Sequence, residues 1–379
     1  MSAPATDMAR FMRAHLGDGS VDGERILEPG TLDRMHAVHE ERHPAVTGWR
    51  FGFMEDPRVD VEAFGHGGAT LHETTEFLLV PDHELGIFVT YNVRSGEANP
   101  GDVVEEFLDL YGLHAPDGTE DVPTEAEAGE RAETVSGEYA GHAMPDHGPA
   151  QLLGLLGRLT LTTEGDGRLV SNSPMGPDRE WVEVGPYVYE EVGGPDVLAA
   201  EANDGQVAAV HLSSATPDTF APVTGPDRFP VVAVALGLPL AAFALSLIAW
   251  AGVGVGRAWR RRRTVQERGE QSGQPTGVRA ARLAAAGLSI AGVAFAGLFA
   301  TGFVAGGGDL AFITEPLPLR LAYLAPYVVA ILALATVAGA GYAWRHRAWS
   351  RPVRVHQTAL AVLGLAFTWQ LGTHGFLGL

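Results

Sequence analysis

The sequence predicts an α+β unit first, a small all-β unit after it, and a membrane domain of four transmembrane helices at the end. Three observations predict this. Charge is divided unevenly: residues 1–228 hold 42 acidic residues against 13 arginines, a net of −29, and residues 229–379 hold 4 against 13, a net of +9. Long apolar stretches occur only in the second part. In the first part, apolar residues at helical spacing give way near residue 48 to short strand-like runs bounded by turn residues.

Over 1–114, Met8, Phe11, Met12 and Leu16 keep helical spacing behind Thr6 as the expected N-cap. A short helix is expected over 29–36. Strands are expected at 48–54, 74–80 and 86–91, the last two joined by the turn Pro81-Asp82-His83-Glu84. A final helix, capped by Asp102, places Val103, Val104, Phe107, Leu108 and Tyr111 on one face. Residues 115–134 are rich in Pro, Gly and acid, with Arg131 their one arginine, and read as a linker too poor in apolar residues to fold. Residues 135–224 alternate turns with strand runs at 159–163, 168–171, 181–184, 187–192 and 207–212, which suits a small sandwich or barrel.

The apolar stretches lie near 229–256, 284–305, 321–344 and 358–379 in the domain 229–379. Each is near or above the ~20 residues that cross a bilayer as a helix. Eight arginines fall within 257–282 and four within 345–354, whereas 305–320 holds only Arg320 beside Asp309 and Glu315. The positive-inside bias puts both arginine-rich loops in the cytoplasm and both ends outside, with the acidic part in the external medium. Gly287, Gly292, Gly297 and Gly302 suit close helix packing in lipid. Membrane lipids are therefore expected partners.

The acidic surface repels phosphates and excludes nucleic acid as a partner. All 26 basic residues are arginine, and this self-repelling composition resembles proteins that stay soluble in high salt. The absence of cysteine excludes disulfides and thiolate metal sites. No cofactor is expected.

The segment Phe64-Gly65-His66-Gly67-Gly68-Ala69 carries the most information about function. It stands in an ordered set. Ala5–Met12 and Gly48-x-x-x-Gly52-Phe53 precede it, and Phe77-Leu78-Leu79-Val80-Pro81-Asp82 then Leu85–Val89 and Tyr91-Asn92 follow. This set resembles the β-lactamase-related serine hydrolases, which include class C β-lactamases, penicillin-binding proteins, D-aminopeptidases and esterases. The resemblance covers residues 1–114 and implies the C-terminal part of a serine β-lactamase-like domain, an antiparallel sheet with helices. It implies that His66, Gly67 and Gly68 form the substrate-cleft strand, where glycine lets a substrate backbone lie close. A peptide or ester substrate is the partner it implies.

The family's nucleophile does not occur here. Without lysine there is no Ser-x-x-Lys, and no Tyr-x-Asn is found, so no catalytic residue is assigned. The opening residues also lack the basic and apolar regions of a signal peptide. The expectation is therefore a truncated hydrolase, inactive alone, whose upstream half-domain is a further partner. A non-catalytic membrane-anchored binding or sensory module is the alternative.

His39-Glu40-Glu41-Arg42-His43 matches the zinc-protease pattern His-Glu-x-x-His. That chemistry needs both imidazoles on one helix face, and Pro44 directly after the second histidine disfavours a helix there. No metal site is expected. His72, His83, His142 and His147 are expected in exposed loops, and Gln370 and His374 share a helix face.

Overall fold

The chain divides into two compact units, Met1–Met144 with Leu156–Val223 and Pro145–Leu155 with Thr224–Leu379. The computed structural model describes residues 3–70, 73–93, 99–118, 127–142, 148–155, 157–163, 167–173, 176–203, 205–216, 218–263, 275–308 and 311–378.

The first unit opens with α1 (Ala5–Leu16), the short strands β1 (Ser20–Val21) and β2 (Glu24–Arg25), and α2 (Pro29–His36). Six strands then form one antiparallel sheet in chain order: β3 (Val38–Glu40), β4 (Trp49–Arg50), β5 (Met54–Glu55), β6 (Phe64–Ala69), β7 (Thr74–Val80) and β8 (Leu85–Tyr91). Helix α3 (Pro100–Tyr111) follows.

The apolar run in β7 is continuous because both faces of the sheet are covered. Successive side chains of a strand point to opposite faces. Phe77 and Leu79 pack with Phe11, Met12 and Leu16 of α1, while Leu78 and Val80 pack with Val104 and Leu108 of α3.

Local details differ from expectation. Pro4 is the N-cap of α1, and Thr6 lies inside its first turn. Asn99 rather than Asp102 caps α3, its side chain accepting a hydrogen bond from Gly101 N at 3.1 Å. The run expected over 48–54 is split into β4 and β5 by a turn at Gly52, where φ is +86°. Only glycine adopts that conformation without strain.

Helix α4 (Ala128–Val135) leads into eight strands: β9 (Gly137–Gly141), β10 (Arg158–Thr163), β11 (Leu169–Ser173), β12 (Gly176–Gly185), β13 (Val188–Glu191), β14 (Val197–Asn203), β15 (Gln206–Leu212) and β16 (Phe220–Pro222). They close into an antiparallel barrel, β16 pairing with β9. Leu159, Leu161, Leu169, Trp181, Tyr189, Leu198 and Val210 fill its interior. Ala132 and Val135 of α4 join the same cluster, so the end of the segment expected as linker is a helix docked on the barrel core. Residues 119–126 of that segment lie outside the described residues.

The second unit contains α5 (Phe229–Arg263), α6 (Thr276–Ala305), the short α7 (Ala311–Thr314), α8 (Leu317–Arg345) and α9 (Arg351–Thr373). Three of these, not four, are long and apolar enough to cross a membrane: Phe229–Gly256, Thr276–Ala305 and Leu317–Arg345. The fourth expected span, 358–379, is corrected to α9, which begins earlier and takes in Arg351, Arg354, His356 and Gln357. Those polar residues shorten its apolar run. Two of them face neighbouring helices, Gln357 Nε2 donating to Ala281 O at 3.0 Å and His356 Nε2 lying 2.9 Å from Ser246 Oγ. The expectation of both ends on one side required a fourth crossing and loses it.

Glycines on α6 do allow close approach. A Cβ on Gly292 would lie 2.6 Å from the Phe243 ring, and one on Gly302 2.6 Å from Leu319 N. Gly297 has open space and plays no such part. The expected arginine-rich loop lies partly outside the described residues, at 264–274.

Candidate functional site

The site is built on β6. Its first two residues, Phe64 and Gly65, are buried and pair with β5 on one side, Glu55 opposite Phe64 and Met54 opposite Gly65. β5 ends there. On the other side β7 pairs along all of β6, from Phe64 with Leu79 to Ala69 with Thr74. From His66 to Ala69, β6 is therefore exposed and has no strand partner on the β5 side among the described residues. An unpaired strand edge presents backbone N–H and C=O groups to whatever can align with it.

The glycines of β6 differ in why they are glycine. A Cβ on Gly65 would lie 1.9 Å from Phe77 O, so the β6–β7 packing itself forbids a side chain. A Cβ on Gly67 would meet only Thr75 O, at 3.8 Å, an ordinary contact. Nor does Gly67 adopt a positive φ. A glycine inside a strand costs roughly 0.5–1 kcal/mol relative to alanine, and nothing in the packing here requires that cost. Gly65→Val is expected to unfold or aggregate the first unit, whereas Gly67→Val should leave its stability within about 1 kcal/mol of the parent. Urea denaturation of both variants checks this, and equal losses would contradict the distinction.

A cleft of about 560 Å³ lies against this edge. Met54–Arg58, Gly65–Gly67 and Glu76 form one wall; barrel residues Arg179, Glu191, Gly193–Asp196 and Ser213–Ser214 form the other. A second hollow of about 870 Å³ continues along Gly67–Ala69 towards Thr74 and Asn99. The two share Met54, Gly67 and Glu76, so they form one groove along β6. Thr47 ties the walls together: its N donates to Ser213 Oγ at 3.2 Å, and its Oγ1 donates to Ser213 O at 2.7 Å.

Two arginines organise the charge. Arg58 is held by Asp56, with Nε to Oδ1 at 2.9 Å, and by Glu76. Burial opposes its positive charge, but the hydrogen bonds and charges of Asp56 and Glu76 outweigh that and hold the guanidinium above its ordinary range. On the barrel side, Arg179 pairs with buried Asp196 at 2.7 Å and with Glu191 at 3.5 Å. Burial pushes the Glu191 carboxyl upward against the pull of Arg179, and neighbouring Asp196 adds to the rise.

The cleft serines are not activated. Ser214 Oγ donates to Asp196, and that carboxylate also accepts from Ser214 N at 2.8 Å and from Arg179. The Asp196 carboxylate is thus already occupied by Arg179 and by the Ser214 backbone. Ser213 Oγ is engaged by Thr47.

His66 lines the cleft, exposed, its Nδ1 2.5 Å from Gly67 O and Trp49 edge-on at 6.2 Å between ring centroids. His39 of the zinc-protease pattern falls on β3, not on a helix, and no group of three metal-ligating side chains occurs among the described residues. His83 lies in a 3-10 turn and His142 lies 2.6 Å from Thr219 O, while His72 and His147 lie outside the described residues. Sequence reasoning missed Arg58, Arg179 and Asp196. Only Asp56-x-Arg58, a local charge pair, carried any signal.

No family model matches the sequence, and no curated protein matches it. Among solved structures, "Crystal structure of SurE" matches with a TM-score of 0.37 and 20% identity, covering 57% of this chain and 48% of that one. "Crystal structure of SurE with D-Leu" matches at 0.38 and 19%, covering 58% and 50%. "Structure of the octameric penicillin-binding protein homologue from Pyrococcus abyssi" matches at 0.26 and 14%, covering 57% and 46%. The chain spans about half the length of each of these structures. Likeness this weak assigns neither fold nor activity.

Proposed function

We propose that the chain is the membrane-anchored, substrate-holding part of a β-lactamase-related serine hydrolase, with its acidic unit outside the cell. The observation that supports this reading is the open edge of β6 beside Gly67, a glycine that the internal packing does not demand. An extended peptide or ester substrate would align with His66–Ala69 and extend the sheet, as peptides do when they add to an exposed strand. Main-chain hydrogen bonds would position the scissile group. The attacking serine and its lysine would come from sequence other than these 379 residues.

In this reading the chain holds substrate and does not cleave it. A serine becomes a nucleophile through an adjacent base, and here Ser214 faces a carboxylate already engaged by Arg179, while Ser213 Oγ accepts from Thr47 N. The purified full chain in detergent is expected to show no labelling by fluorophosphonate or penicillin probes. Stoichiometric labelling of Ser213 or Ser214 would overturn the assignment of roles. A blocked alanine pentapeptide, acetylated and amidated, should bind weakly and lose its affinity when alternate amides are N-methylated. Equal binding of the two forms would remove the strand-addition reading.

The same observations admit a purely binding role, a membrane-anchored module that senses peptides without hydrolysis. The engaged state of Ser213 and Ser214 favours it. Co-expression with a chain carrying Ser-x-x-Lys separates the two: restored probe labelling supports the hydrolase, and binding without it supports the module.

A further inference from the structure

We propose that the second unit holds a long-chain alcohol, an apolar chain with one hydroxyl, in a cavity between α5, α6 and α9. The cavity has a volume of about 180 Å³. Leu236 and Leu240 of α5, Phe295 and Phe299 of α6, and Phe367 and Leu371 of α9 line it. The members of each pair are four residues apart, so each helix turns one face to the space. Leu152, in the segment that packs with this unit, and Phe376, past the end of α9, add to the walls. Ala296 also faces it, a small side chain between two phenylalanines.

An apolar space left empty forfeits the contacts that its lining can make, and such spaces take up apolar molecules. The source of one is at hand. Helices α5 and α6 are apolar enough to cross a membrane, and Leu245 and Ile248 of α5 are exposed at 65% and 67%, where lipid chains would lie.

An apolar lining alone marks only a gap in packing. The second observation is Gln370, which lines the cavity and is 6% exposed. Among the described residues, the one side chain within reach of its carboxamide is His374, whose Nδ1 lies 3.5 Å from Gln370 Nε2. The same nitrogen lies closer, 2.9 Å, to Gln370 O. A backbone carbonyl only accepts, so Nδ1 carries the proton and cannot also accept from the carboxamide. The carboxamide is left without a partner.

A buried amide in that state is costly, and a ligand that supplies the partner removes the cost. The carboxamide offers both an acceptor and a donor, and a hydroxyl answers both. No arginine or carboxylate lines the cavity, so an ionised headgroup would enter it unpaired. Apolar walls with one idle polar group that both donates and accepts thus specify a chain with an uncharged hydroxyl.

The test uses the full chain in phosphatidylcholine nanodiscs and hexadecanol carrying a photoreactive diazirine, with adducts mapped by mass spectrometry. Adducts are expected to concentrate on the α5 and α9 residues of the cavity over Leu245 and Ile248. Unlabelled hexadecanol should compete about fivefold better than hexadecane at equal bilayer fraction, the worth of one hydrogen bond. Hexadecanesulfonate, permanently ionised, should compete less well than hexadecanol. Gln370→Leu should keep the cavity adducts and erase the advantage of hexadecanol over hexadecane. Ala296→Phe fills the space and should remove the cavity adducts while those at Leu245 and Ile248 persist. Leu236→Phe fills it from another helix and serves if the first variant does not fold.

Each other result overturns the proposal. Adducts no denser in the cavity than at Leu245 and Ile248 mean ordinary contact with the bilayer. Equal competition by hexadecanol and hexadecane, or an advantage that survives Gln370→Leu, removes the role of the hydroxyl. Cavity adducts that persist in a folded filling variant place the probe outside the cavity.

Discussion

Arg131→Ala is expected to destabilise the barrel by about 3–5 kcal/mol, the cost of leaving a buried charge without its partner. Arg131 projects from α4, and its Nε and Nη2 donate to the two carboxylate oxygens of Glu183 at 2.8 and 2.9 Å. The Glu183 side chain is 2% exposed. Its Oε1 also accepts from Tyr187 N at 3.0 Å, which fixes the turn between β12 and β13, where Tyr187 has a φ of +63°. Removing the guanidinium therefore frees a carboxylate in the barrel wall and releases α4, whose Ala132 and Val135 complete the core.

The size of the effect comes from the unpaired charge and not from the pair itself. Replacing both partners, Arg131→Met with Glu183→Leu, is expected to cost less than half as much, because a buried ion pair contributes little net stability over apolar groups of similar volume. The remaining cost is the Tyr187 N–H left without its acceptor, about 1 kcal/mol. Hydrogen exchange on barrel peptides across a urea series, in the full chain, measures both variants. A single variant no worse than the double would show that Glu183 finds other compensation.

How far the sequence disclosed this molecule can be argued from particular residues. Strands β7 and β8 were legible because their apolar runs are dense and bounded by a turn. The barrel strand β14 was not. Its Val-Leu-Ala-Ala-Glu-Ala favours a helix by intrinsic preference, yet Leu198, Ala199 and Ala200 are buried in the barrel, and packing overrides propensity in sheets. Helix α4 was hidden for a related reason. Its buried apolar positions are small and few, Ala128, Ala132 and Val135, and Glu183, the buried partner of its Arg131, lies 52 residues away. The fourth span was misjudged because apolar length was counted without the polar first turns of α9. At the site, His66–Gly68 stood out as a local motif. Arg179 and Asp196 did not, since the barrel wall meets the sheet only through tertiary contacts such as Thr47 with Ser213, 166 residues apart.

Acidification is expected to weaken the first unit through a buried histidine pair. His15 of α1 and His36 of α2 approach within 3.0 Å, Nδ1 to Nε2. Phe11 lies 4.4 Å and Phe53 5.2 Å from the His15 ring, and Phe64 lies 4.6 Å from His36. The Arg50 guanidinium donates to His36 O, with Glu62 and Glu55 paired to it, and Asp33 is the remaining charge acting on His36. Burial, with the neighbouring His36 adding to it, lowers the His15 pKa from 6.5 to about 4. Burial and then Arg50 also lower His36, against the opposing pull of Glu62 and Asp33.

The sign follows from which state binds more protons. Between pH 6.5 and about 4 the unfolded chain protonates His15 and the folded chain does not. Stability therefore falls as pH falls through that window, and it is fully present above the unfolded value. The displacement from 6.5 to about 4 corresponds to about 3 kcal/mol for His15 alone. Carboxylates begin to protonate at the lower end, so the informative comparison is the slope between pH 6.5 and 4.5 in parent and His15→Phe. Phenylalanine fits among Phe11 and Phe53 and carries no proton, so the variant should keep only the shallower dependence due to His36 and to His43, which burial also lowers. Parallel slopes in the two proteins would mean that the acid sensitivity arises elsewhere and that His15 accepts a proton in the folded state.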